Sequence, residues 1–222
     1  MKIILNSIII LFIIVLITNA DEKIKEVPNN ISNYFPVNNN TTLVYKSSFG
    51  RSLTRYFYDK EFIISSNEAD KFKYIQKLLI KDDGVYVFEV YQYLQIFIFI
   101  KKEGRYTYSK PLLRLPLPLT PGKEWQCKCD EYSNSDTNKV IVTGKVIGSE
   151  ILKTTLGNYE TIKVETKIES GTGKNTVTEW YSAGIGLVKA NIIIEGGGLM
   201  GFARDILGYG EINFDLEEIK KD

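Results

Sequence analysis

The 222-residue sequence predicts an all-β protein: a strongly curved antiparallel sheet, as a half-barrel or open barrel meander, with at most one or two short helices. Three observations point there. Apolar residues recur with period two and are rich in Val, Ile, Thr and Tyr, types that pack well on a pleated surface. Turn residues punctuate these runs at short intervals, so that neighbouring strands can be joined by hairpins. The dozen or more residues that a parallel crossover needs are not found between the runs.

Taken in order, the chain opens with Lys2 and an uncharged run from Ile3 to Leu16. Ile17-Thr18-Asn19-Ala20 follows, with small residues at −3 and −1 of a cut before Asp21. This is the pattern of a removable secretory signal. The alternative is an uncleaved anchor, since the run approaches the ~20 residues of a spanning helix. Residues 21–41 form a polar, Asn-rich lead-in broken by Pro28 and Pro36, and Asn30, Asn39 and Asn40 begin glycosylation sequons. Residues 42–222 then read as a single β-rich domain, with two half-sheets meeting near 111–122.

Strands are expected at Leu43–Lys46, Leu53–Tyr58, Tyr74–Lys81, Val85–Ile100, Arg105–Tyr108 and Glu124–Cys129. Further on they are expected at Val140–Leu152, Tyr159–Ile168, Thr176–Tyr181, Leu187–Ile194 and Arg204–Phe214. Asp83-Gly84, Gly157-Asn158, Gly171-Thr172-Gly173 and Ala183-Gly184 mark turns. Asn67–Phe72 and Leu216–Lys221 are the only helix candidates.

Composition narrows the chemistry. Signal removal takes away Lys2 alone and leaves 27 basic and 27 acidic side chains, a balance that gives no electrostatic reason to expect nucleic acid or an anionic membrane. Histidine is absent. The commonest general base and the commonest zinc ligand are therefore missing. No cofactor, metal or catalytic residue is expected. Adjacent carboxylates such as Asp82/Asp83 and Glu217/Glu218 read as solvated turn and tail.

Val85–Ile100 is largely apolar on both faces. It is either a covered central strand or tight hairpin, or a strand with one face lining an apolar ligand cavity. On the second reading the candidate ligand-binding residues are Tyr86, Phe88, Leu94, Ile96, Phe97, Ile98 and Phe99. Cys127 and Cys129, the only cysteines, lie two apart in a strand, roughly 6.5–7 Å, at the upper limit for a bridge. They form a strained disulfide, free partly buried thiols or an intermolecular link. Gly196-Gly197-Gly198-Leu199-Met200-Gly201 fits G-x-G-x-x-G formally. It lacks the following helix, parallel strand and distal acid of a dinucleotide site, and so reads as a flexible loop.

Two segments 82 residues apart echo one another. Pro36, Val37, Asn40 and Leu43 align with Pro118, Leu119, Gly122 and Trp125. Pro121-Gly122 suits a turn whose second residue needs positive φ, and Asn40 is the best non-glycine substitute there. Each turn would launch a strand anchored by Leu43 or Trp125. Duplication and chance both explain the echo.

Four blocks carry a family resemblance: Tyr34-Phe35-Pro36 with Tyr45; Leu119–Trp125; Leu156–Val164; and, most specifically, Trp180-Tyr181-Ser182-Ala183-Gly184-Ile185-Gly186-Leu187-Val188-Lys189. In these the chain resembles a family of secreted bacterial domains of unknown function that look related to lipoprotein-carrier (LolA/LolB-type) half-barrels. Asn40 and Leu43 stand where that pattern has glycine and tryptophan. The resemblance implies a curved antiparallel sheet outside the cytoplasm and brings no established activity.

The expected role is a non-catalytic binding module of the cell envelope, periplasmic or extracellular. Its partner would be an apolar small molecule or lipid, or an envelope protein. Membrane contact is expected only through an uncleaved signal segment. The alternatives are a filled-core structural or adhesion-type module meeting its partner by strand addition at a sheet edge, and third a hydrolase-like enzyme using converging carboxylates.

Overall fold

The computed structural model describes residues 34–37, 40–97, 100–133, 136–197, 201, 204–205, 208 and 210–221. The first six strands are β1 (Thr41–Ser47), β2 (Gly50–Asp59), β3 (Phe62–Ala69), β4 (Phe72–Lys81), β5 (Gly84–Phe97) and β6 (Ile100–Pro116). The second six are β7 (Glu124–Tyr132), β8 (Thr137–Thr154), β9 (Gly157–Ser170), β10 (Gly173–Ser182), β11 (Gly186–Ile194) and β12 (Glu211–Lys221). Each pairs antiparallel with its sequence neighbours, and β12 returns to β1, closing a barrel. The expected curved sheet is present, and its curvature carries through to closure. Closure leaves no wholly free edge, although β6 and β7, joined through only two residue pairs, each keep an unpaired stretch.

Three elements differ from the sequence reading. β3 was not expected, and Asn67–Phe72, a helix candidate, is the end of β3, a turn and the start of β4. Ser65 and Asn67 are the reason: they point inward between Ile63 and Ala69, so the inner face lacks continuous apolar alternation. Leu216–Lys221 is strand rather than helix, and the last strand begins at Glu211, while Arg204 and Asp205 have helical backbone. Val85–Ile100 divides between β5 and the first residue of β6. The signal segment and most of the lead-in lie outside the described residues.

Core residues form two clusters. Phe35, Leu78, Val85, Leu115, Leu117, Leu119 and Val146 belong to the first. Phe35 is only 2% exposed and packs on Tyr56 and Tyr181, so the lead-in closes one end of the barrel. Leu43, Tyr45, Leu94, Ile212 and Phe214 belong to the second, where Phe49 stacks on Phe72 at 4.5 Å. Each large apolar side chain removed from water contributes about 1.5–3 kcal/mol.

β6 is the irregular member. Its ladder with β5 jumps from Thr107 to Leu112, and it meets β7 only through Thr107↔Tyr132 and Tyr108↔Glu131. Pro111 sits inside the gap, where the missing N–H cannot break a ladder bond. Ser109 Oγ accepts the Asp130 N–H at 3.0 Å, a side-chain substitute for a rung.

Candidate functional site

Inside the barrel lies a cavity of about 610 Å³, within the range of small-molecule sites. All twelve strands contribute to its wall, from Tyr45 on β1 to Phe214 on β12. Aromatic and aliphatic surface comes from Tyr74, Tyr106, Tyr108, Val140, Ile168 and Ala190, and polar surface from Ser65, Asn67, Gln76, Gln92, Asn138 and Thr166. Ser133, Asp136, Asn138, the Gly171–Gly173 turn and Gly197 rim it at the end opposite Phe35.

The inward face of β5 changes parity along its length. Val85 and Val87 are buried, but so are Val90 and Leu94, and Gln92 lines the cavity. An irregularity between Val87 and Glu89 shifts the register there, so odd positions face inward before it and even positions after it. Both faces of the linear sequence therefore look apolar, although only one is core at any point.

The expected ligand-binding residues are distributed accordingly. Phe88 falls on the bulge and is 43% exposed on the outer surface, with its ring centroid 5.1 Å from that of Phe62. Tyr86 is half-buried, with its hydroxyl donating to Asp83 Oδ2 at 2.9 Å and Lys81 over its ring. Leu94 is buried in the second core cluster. None of these three lines the cavity. Ile96 and Phe97 are described only as β5 backbone, and Ile98 and Phe99 lie outside the described residues. From this strand the wall receives instead Val87, Val90 and Gln92.

The charged groups of the wall were missed by sequence reasoning. Arg114 on β6 reaches across to Glu179 on β10, Nη2 to Oε1 at 2.6 Å, and both side chains are largely buried. Burial works against the Arg114 charge, but Glu179, Tyr181, Tyr74 and Tyr56 outweigh it and its pKa is raised. Tyr56, Tyr74 and Tyr181 themselves stay neutral because burial raises their pKa values. Glu131 on β7, 9% exposed, accepts the Ser170 hydroxyl at 2.5 Å. Burial raises its pKa, and the Ser170 hydrogen bond opposes this in part. A sequence signal for Glu131 exists: it follows Trp125, Cys127 and Cys129 in the same inward alternation of β7.

That alternation points both cysteines inward, and both are free thiols. Burial first, and then Cys127, pushes the Cys129 thiol up to about 11. Of the Gly196–Gly201 segment, Gly196 and Gly197 pack on the β9–β10 turn, and residues 198–200 lie outside the described residues. Gly196 N–H donates to Lys174 O at 3.0 Å and Gly197 N–H to Thr172 O at 2.7 Å. Among the described residues no His/Cys/Asp/Glu group is placed to hold a metal.

Fold and cavity together define a closed antiparallel barrel with a small-molecule-sized chamber. Three solved structures are similar in outline. One is a candidate exported protein with YmcC-like fold from Bacteroides fragilis: 13% identical, TM-score 0.44, covering 85% of this chain and 99% of that one. Another is a candidate lipoprotein from Parabacteroides distasonis: 15% identical, TM-score 0.41, covering 85% and 98%. The third is the hypothetical lipoprotein YmcC from Escherichia coli: 12% identical, TM-score 0.40, covering 84% and 88%. No protein-family model and no curated protein matches the chain.

Proposed function

We propose that this chain is an exported, non-catalytic binding protein of the cell envelope that holds one small molecule inside its barrel. The cavity of about 610 Å³ carries this reading, because a filled core would leave no such space. Export rests on Lys2, the Ile3–Leu16 run and the small residues before Asp21. Wall residues such as Val90, Val140 and Ile168 supply apolar contact, each worth about 1.5–3 kcal/mol when fully buried. A handful suffices for micromolar affinity after association costs. The carboxylates support binding over hydrolysis, since Glu179 is held by Arg114 and Glu131 by Ser170. The sequence resemblance to lipoprotein-carrier half-barrels would be in keeping with an apolar-bodied guest.

The test is native mass spectrometry of the mature protein purified from its own envelope, followed by solvent extraction. The expected result is a one-to-one adduct released on denaturation. Finding the barrel empty, and unresponsive to a panel of amphiphilic molecules, would sink the proposal.

A second reading has its own observation. Phe57 and Phe88 are exposed on the outer face of the first half of the barrel beside Phe62, a surface suited to an envelope protein partner.

A further inference from the structure

The wall of the cavity carries one basic side chain, Arg114, and three acidic ones, Glu131, Asp136 and Glu179. The 2.6 Å ion pair occupies Arg114 and Glu179 with each other. Glu131 and Asp136 are left with no cationic side chain paired to them among the described residues. Asp136 lies at the rim and is exposed, so water solvates it. Glu131 is buried just inside, and its one partner is the Ser170 hydroxyl. A buried carboxylate held by a single neutral donor is costly, and a positive charge placed beside it removes much of that cost.

The residues behind Glu131 suit the remainder of such a molecule. Tyr108 faces it directly across the β6–β7 ladder, and Tyr106 and Tyr74 line the same wall. Aromatic faces attract cations and pack against apolar bodies alike. The titratable groups acting on or felt by Glu131 are Tyr74 from β4, Tyr106 and Tyr108 from β6 and Cys129 from β7. All four have raised pKa values and are neutral near pH 7, so none of them supplies a counter-charge. From β8 and β9 it meets the uncharged Asn138 and Ser170.

We propose that the guest of this barrel is an organic cation, an amine or guanidine on an apolar body, seated with its charge beside Glu131 at the mouth and its body against the tyrosine wall. This rests on the binding reading above and names the chemistry of the molecule bound.

Isothermal titration of the purified mature protein with decylammonium, 1-decanol and decanoate separates the two claims. Decylammonium binds one per barrel, about tenfold or more tighter than 1-decanol, and decanoate binds weakest. Glu131→Gln lowers decylammonium affinity by about tenfold and leaves 1-decanol unchanged. As pH falls and Glu131 takes up its proton, the preference of the unmodified protein for decylammonium fades as well. Decanoate binding as tightly as decylammonium overturns the charge inference, as does an E131Q protein that discriminates like the original. Equal binding of decylammonium and 1-decanol overturns it too, while leaving the chamber as a binding site. If none of the three binds, the chamber reading falls with it. The ligand series on the unmodified protein decides the matter even if the variant fails to fold.

Discussion

The half of the barrel built from β1–β6 and the half built from β7–β12 open with the same turn and then part company. Asn40 before β1 and Gly122 before β7 both have positive φ, 41° and 83°. From each turn a strand sets out with a large anchor. Leu43 is fully buried opposite Thr54, whereas Trp125 lies over Gly144, where a Cβ would run into the indole. The outer faces of both halves mix exposed apolar side chains with ion pairs, but at different places. The first half shows Phe57, Phe62 and Phe88, with Lys77 over the Phe62 ring at 4.2 Å. The second shows Ile147, Ile151 and Ile193, with Lys139 against Asp130 and Lys145 against Glu124. A shared backbone device thus constrains the strand's starting point and little else. Which side chains fill the inside, and which meet solvent, is set separately in each half.

The largest expected effect comes from the buried ion pair between the halves, Arg114 with Glu179. Glu179→Gln strands a buried guanidinium and should cost about 3–5 kcal/mol in a urea titration. The double change Arg114→Met with Glu179→Leu should recover most of it. A single change within 1 kcal/mol of the original (roughly the exposed-pair range) would show the pair to be solvated.

Gly144→Val tests the anchor of the second half. Forcing a branched side chain under the indole should cost about 1–3 kcal/mol. Giving that half the first half's anchor, Trp125→Leu, should relieve most of this cost in the same background. Equal penalties with and without the tryptophan would dissociate Gly144 from Trp125.

The smallest effect concerns the shared turn. Gly122→Ala places a Cβ in the left-handed region and should cost about 1–2 kcal/mol. Asn40→Gly should change stability by under about 1 kcal/mol, because glycine tolerates that conformation. Thermal melts showing equal losses for the two would break the equivalence of the turns.

Much of the fold was legible because strand alternation and turn residues are local signals. Asn40 and Gly122 were read as positive-φ positions from turn chemistry alone, and both have that geometry. The site was far less legible. Its wall is made where the alternation fails: Ser65 and Asn67 face inward from β3, and the strand went unseen for that reason. On β5 a single irregularity at Phe88 exchanged the two faces, moving Val90 and Gln92 into the cavity wall while Phe88 itself stayed outside. The partnership of Arg114 with Glu179 spans 65 residues, a distance no spacing rule covers.

The join between β6 and β7 has a mechanical consequence. Fourteen residue pairs hold β8 to β9, but two hold β6 to β7, and one of those two sets Tyr108 against Glu131. Rupturing so short a zipper takes less free energy than parting any long ladder, so thermal breathing concentrates along this line. The chamber wall is softest beside its buried carboxylate, and a body too wide for the rim meets least resistance from the flank.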